Sequence, residues 1–144
     1  LPKARDTVSW SYLPSGDLWY AHLVRYYTST DMTPNDVHEL GLREVARLVR
    51  EQVRREDCFA RYGGEEFAVV LTESNLEAAR EFAERLRGRV ETHEFRAGNV
   101  SIPVTISVGV AAMTRETSDS ADFLAAADTH LYEAKSAGRN RIAS

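Results

Sequence analysis

The sequence predicts an α+β domain: a central, mostly antiparallel sheet flanked by helices. Three observations predict it. Apolar residues recur at helical spacing along Val37, Leu40, Gly41, Val45, Leu48, Val49 and Val53, and again along Leu76, Ala79, Phe82, Leu86 and Val90. Ile102, Val104, Ile106, Val108 and Val110 occupy alternate positions, with Thr105 and Ser107 opposite, which is the period of a strand. Between the two helical stretches lie two short apolar runs, CFARY and FAVVL, on either side of Gly63-Gly64, the pattern of a tight hairpin. Helices and strands interleave along 144 residues, a length suited to one domain.

The elements follow in order. Thr7 to Leu13 alternates Val8, Trp10 and Tyr12 with small or polar residues. Pro14-Ser-Gly-Asp17 is turn chemistry, and Leu18 to Tyr27 is rich in aromatic and β-branched residues, so Val8 to Tyr27 reads as a β-hairpin. Its aromatic residues are expected to complete the core. Thr33 then caps a helix with Pro34 at its first position, ending near Arg55. The hairpin around Gly63-Gly64 comes next, and Asn75 caps a second helix. A short edge hairpin turns at Ala97-Gly98-Asn99. After the strand of residues 102–113, Asp119 or Ser120 opens a third helix, with Phe123, Leu124, Ala127, Leu131 and Ala134 inward and Gly138 as its C-terminal stop. NRIA, residues 140–143, reads as a last strand.

Composition excludes several classes. The 43% hydrophobic and 28% charged fractions are those of an ordinary globular domain, and a net charge of −4 argues against nonspecific binding to nucleic acid or anionic membrane. No apolar run approaches the roughly 18 residues of a membrane span. The single cysteine, Cys58, allows no internal disulfide, fits a cytoplasmic setting and reads as a buried, inert strand thiol. The chain begins at Leu1 rather than Met, so a fusion to a sensory or regulatory part of a longer protein is expected.

The chemistry concentrates in Arg61-Tyr-Gly-Gly-Glu-Glu-Phe67. Two glycines let backbone N–H groups approach phosphates closely, and adjacent carboxylates on a strand point to opposite faces. One of them is then placed to ligate Mg²⁺. ARYGGEEFAVVL, TISVGVA at Thr105 to Ala111, and DTHLYEAKSAGRNR at Asp128 to Arg141 together resemble the GGDEF domain of diguanylate cyclases in its GGEEF form. The resemblance implies a nucleotide-cyclase-like, ferredoxin-like core. It also implies cytoplasmic cyclic di-GMP signalling, with two GTP condensed to cyclic di-GMP and pyrophosphate across a homodimer using Mg²⁺ or Mn²⁺. By the same resemblance Glu65 is the metal ligand and base and Glu66 supports it. Gly63, Gly64, Lys135 and Arg139 hold the substrate phosphates, and Glu39 stands where the family reads guanine.

A second constellation, Arg54-Arg-Glu-Asp57, lies at the offset of the family's product-binding inhibitory site, with Arg85 matching its further arginine. An arginine fork suits the O6 and N7 acceptors of guanine, and a carboxylate suits the N1–H and N2–H donors.

The first 32 residues depart from the family pattern, whereas residues 33–144 carry its core. A gap-free register places His22 at the first metal-binding Asp, Val24 at the second acid, Tyr27 at a lysine and Thr30 at a guanine-reading Asn. A histidine is a poorer ligand for a hard cation, and His22 is expected to be an ordinary strand residue without metal partners. Three functions follow as alternatives. One is a catalytically impaired domain that binds cyclic di-GMP at Arg54, Asp57 and Arg85. Another is an active cyclase, and the third is a GTP-binding or protein-interaction scaffold.

Overall fold

The computed structural model describes residues 14–114 and 119–144. Four helices and six short strands follow one another as α1 (Gly16–Thr28), α2 (Pro34–Arg50), β1 (Cys58–Gly63), β2 (Glu66–Val70), α3 (Leu76–Thr92), β3 (Phe95–Ala97), β4 (Val100–Ile102), β5 (Val108–Gly109), α4 (Ser120–Ser136) and β6 (Ile142–Ala143). β1 and β2 pair antiparallel, as do β3 and β4, while β5 pairs parallel with β6. The mixture of helices and mainly antiparallel pairs is the α+β class that the periodicities predict, with the sheet in three two-stranded pieces.

α2 starts where its caps say. Thr33 accepts from the N–H of Asp36, whose carboxylate accepts in return from the N–H of Thr33 at 2.8 Å. This reciprocal box satisfies two backbone donors that the first turn leaves open. The hydrogen bonds from Thr33 hold the Asp36 carboxyl below its ordinary range. The helix stops at Arg50, short of the Arg55 that the stripe suggests, because residues 51–57 turn to start β1. Asn75 caps α3 by accepting from the N–H of Ala78 at 2.8 Å. At the end of α4 the N–H of Arg139 donates to Ala134 O at 3.0 Å, and Gly138 takes φ 110°. That pattern is a Schellman stop with glycine in its usual place.

The core lies between the stripes of α2 and α3. Val45, Leu48, Val49, Leu86, Val90 and Phe95 form one buried cluster, against which Phe59, Phe67, Val69, Val104 and Ile106 pack. Burying each such side chain contributes roughly 1.5–3 kcal/mol.

Three expectations are corrected. The segment from Gly16 to Thr28 is a helix, not the second half of a hairpin. Gly16, Val24 and Thr28 are buried, with Tyr20 and Leu23 half-buried between them, so the inward positions recur at helical spacing. Period outweighs the aromatic and β-branched content that suggested a strand. The first half of that expected hairpin lies outside the described residues. The aromatic residues of α1 do not complete the core, since Trp19, Tyr26 and Tyr27 are exposed. Cys58 is likewise exposed, because the face of β1 turned to the core carries Phe59.

The strand expected over residues 102–113 enters a ladder only at Ile102 and at Val108–Gly109. Here α4 approaches the chain closely. A Cβ at Gly109 would lie 2.1 Å from Ala127 O and 2.3 Å from the backbone N of Leu131. Gly109→Ala is therefore expected to lower the unfolding free energy by about 1–3 kcal/mol. Urea denaturation checks this, and an unchanged midpoint would refute the close packing of α4 on β5.

Candidate functional site

The hairpin of β1 and β2 builds the first part of the site. Gly63 pairs with Glu66, so Gly64 and Glu65 form the tip, with Gly64 at φ 46°. That left-handed conformation suits glycine and fixes the identity of the turn residue. Arg61 Nε donates to Gly64 O at 2.9 Å and braces the tip from behind. Below it Phe59 and Phe67 meet across the ladder, ring centroids 5.5 Å apart, and anchor the hairpin on the core.

The two acids are not alternating neighbours on one strand, as the sequence suggests. Glu65 is an exposed turn residue and Glu66 the first residue of β2. They consequently do different things. Glu66 Oε1 accepts from Lys135 Nζ at 2.8 Å, which ties the hairpin to the last turn of α4. Glu65 stands clear of any partner among the described residues. Arg139, just past α4, is exposed with its guanidinium equally free. Glu39, the expected guanine reader on α2, lies 3.6 Å from Arg61 Nη2. The structure thus joins Lys135 to Glu66, the ladder partner of Gly63, and brings Glu39 to the same hairpin through Arg61. Arg61 was not among the expected site residues, although it opens the motif.

Mg²⁺ takes one or two protein carboxylates beside phosphate oxygens, and the hairpin offers Glu65. Among the described residues, no three His, Cys, Asp or Glu side chains converge on a point that could hold a metal ion. His22 sits on α1, stacked with Tyr26 at 6.4 Å between ring centroids. It lines an open cleft of about 260 Å³ with Leu18, Arg25 and Met32 rather than facing Glu65 with other ligands. It is a helical residue, not the strand residue expected.

The second constellation occupies the turn between α2 and β1. Asp57 Oδ2 accepts from the N–H of Arg54 at 2.8 Å, and Oδ1 accepts from the N–H of Thr72 at 3.1 Å. Asp57 therefore closes its own turn and fastens it to the chain leaving β2, a structural duty that the R-x-x-D spacing did not reveal. Oδ1 also accepts from the Thr72 hydroxyl at 3.5 Å, so the spare acceptor capacity lies on Oδ2. The Arg54 side chain is exposed and has no partner among the described residues. Arg85 lies over the ring of Phe82 at 5.9 Å. Its direction follows from the helix pair: Glu44 meets His93 at 3.4 Å and Glu51 meets Arg89 at 2.7 Å. As numbers rise on α2 they fall on α3, so the next turn of α3, with Arg85, runs toward the residues that follow α2.

Comparison with known proteins agrees with this architecture. Residues 34–141 match the family model described as diguanylate cyclase, GGDEF domain. The chain belongs to the GGDEF family. Diguanylate cyclase A of Treponema denticola is 39% identical over 104 residues, which cover 72% of this chain and 28% of that protein. The chain spans about a quarter of the length of the curated relatives it matches. The active GGEEF domain of a diguanylate cyclase from Vibrio cholerae superposes with a TM-score of 0.68 at 30% identity, covering 85% of this chain and 74% of that one. The GGDEF domain of DgcB from Caulobacter crescentus, solved in complex with c-di-GMP, superposes with a TM-score of 0.67 at 28% identity, covering 72% of this chain and 61% of that one.

The unequal duties of Arg54 and Asp57 make a prediction. Asp57→Ala strands two backbone donors and is expected to cost about 1–3 kcal/mol of stability. Arg54→Ala removes an exposed side chain and should stay within about 0.5 kcal/mol of wild type. Denaturant midpoints of both variants check this, and equal midpoints would contradict the bonding of Asp57.

Proposed function

We propose that this domain serves cyclic di-GMP signalling as a binding module, with its nucleotide site at Arg54, Asp57 and Arg85 and its cyclase chemistry impaired. The observation that carries the reading is the state of the Arg54–Asp57 turn: an exposed Arg54 side chain without a partner among the described residues, in the same turn as a carboxylate already fixed in place by Arg54 and Thr72 backbone N–H groups. A fixed acceptor loses little entropy on binding, and an unpaired guanidinium has no ion pair to give up. The Arg54 fork suits the Hoogsteen edge of a guanine, and the spare lone pairs of Asp57 suit its N–H donors. Arg85 adds a cation toward the ligand's phosphates. Impairment is supported by the helix at residues 16–28, on which His22 and Val24 stand at the positions of the family's metal-binding acids.

In this reading residues 33–144 carry the GGDEF core and residues 1–32 a divergent region, the whole forming part of a longer cytoplasmic protein with a sensory or regulatory domain. Titration calorimetry of the domain with cyclic di-GMP tests the site. Wild type should bind, and Arg54→Ala should weaken binding by about tenfold or more, the worth of one charge-assisted hydrogen bond pair. No binding, or equal binding by both, would refute it.

A second reading is an active cyclase, two half-sites of a homodimer each presenting a GTP with Mg²⁺ or Mn²⁺. The Lys135–Glu66 contact beside the glycine tip favours it, since it holds a cation where phosphates would lie. It expects turnover of GTP that vanishes in Glu65→Ala. A forcibly dimerised domain that makes no product would exclude it. A scaffold role, by contrast, draws on the exposed Trp19, Tyr26 and Tyr27 of α1.

A further inference from the structure

Polar side chains of α3 grip the turn that follows α4. Arg87, only 17% exposed, donates from Nη1 to Asn140 Oδ1 at 2.9 Å, and Asn140 Nδ2 donates to Glu91 Oε1 at 2.7 Å. The carboxamide is thus held at both ends, its oxygen by a group that can only donate and its nitrogen by one that can only accept. Arg87 is itself fixed by Glu91 at 2.7 Å and Glu84 at 2.6 Å. Hydrogen bonds from Arg87 and then Asn140 hold the Glu91 carboxyl below its ordinary range.

The gripped segment needs holding. Arg139 has φ 62° and Asn140 φ 46°, two successive side-chain-bearing residues in the left-handed region. Asparagine tolerates this, whereas arginine adopts it only under constraint. The constraint comes from both sides. Before Arg139 stands the Schellman bond to Ala134 O, and after it stands the Asn140 clamp. Arg141 then locks into the parallel pair, its carbonyl accepting from the N–H of Val108 at 3.0 Å. Between these anchors the Arg139 side chain is exposed and has no partner among the described residues, four residues beyond Lys135.

We propose that Asn140, clamped by Arg87 and Glu91, is a positioning residue that holds Arg139 in its left-handed conformation and so aims its guanidinium, together with Lys135, at a polyphosphate. This rests on the reading of Lys135 and Arg139 as the phosphate-holding cations. An aimed guanidinium meets phosphate oxygens bidentately, and a wandering one does not.

The test is titration of the domain with inorganic pyrophosphate, run beside urea denaturation and a cyclic di-GMP titration. Asn140→Ala and Asn140→Gly should each weaken pyrophosphate binding about tenfold, one charge-assisted contact, as Arg139→Ala does. Glycine accepts the left-handed backbone, so Asn140→Gly should shift the urea midpoint less than Asn140→Ala while losing the same affinity. Glu91→Gln keeps an acceptor for Asn140 and should retain more affinity than Glu91→Ala. The cyclic di-GMP isotherm should not move in the Asn140 variants. If both Asn140 variants bind pyrophosphate like wild type while Arg139→Ala does not, the clamp proposal is overturned and the phosphate corner stands. If Arg139→Ala and Lys135→Ala bind like wild type, or wild type does not bind, the phosphate corner itself is overturned and the clamp with it.

Discussion

The contact between α2 and α3 carries the rest of the molecule. Leu48 and Val90 are almost wholly buried there, and Phe95, the first residue after the α3 turn, closes the cluster. Buried apolar area is the main favourable term in folding, so this seam sets where everything else can pack. The β1–β2 hairpin rests on it through Phe59 and Phe67, and residues 102–106 through Ile102, Val104 and Ile106. The charged pairs along its rim, Arg89 with Glu51 and Arg47 with Glu44 and Glu51, are half-exposed. Pairs of that kind contribute little energy; Arg89 with Glu51 bridges the two helices, whereas Arg47 pairs within α2 and its cap.

That seam also distributes the chemistry. Its antiparallel run sends Arg85 toward the turn where Arg54 and Asp57 stand, while Arg87 and Glu91 leave from the flank that meets Asn140. One helix therefore serves two places: the R-x-x-D turn and the cationic corner after α4. The corner is joined to the glycine hairpin by Lys135 and Glu66, each about 40% exposed. At that exposure the pair orients two elements more than it stabilises them. The order of α4 against the sheet comes from the bare backbone at Gly109, which lets Ala127 and Leu131 approach.

Much of this was legible in the chain. The caps at Thr33, Asn75 and Asp119 and the stop at Gly138 act within a few residues, so local chemistry is enough to read them. The stripes of α2 and α3 were legible for the same reason, since a helix declares its buried face by period. The glycine hairpin was legible because Gly63-Gly64 marks a tight turn, whereas its register, with the irregularity between Arg61 and Gly63, was not. α1 was misread because aromatic content was weighed above the spacing of Gly16, Tyr20, Val24 and Thr28. The strand at residues 102–113 was legible as a pattern but not as a ladder, because a ladder depends on a neighbour.

The amino-acid sequence by itself determined the family, the elements around the core and the identity of the glycine, carboxylate and arginine motifs. These are properties of spacing, and spacing survives without coordinates. Only the tertiary structure decided which partner each charged group takes. It turned Glu66 to Lys135 and left Glu65 without a partner among the described residues. It made Asp57 a fastener of its own turn and left Arg54 open, and it joined Asn140 to Arg87 and Glu91 across the fold. Side chains far apart in sequence meet only when the packed helices bring them within hydrogen-bonding distance, and no local pattern encodes that meeting.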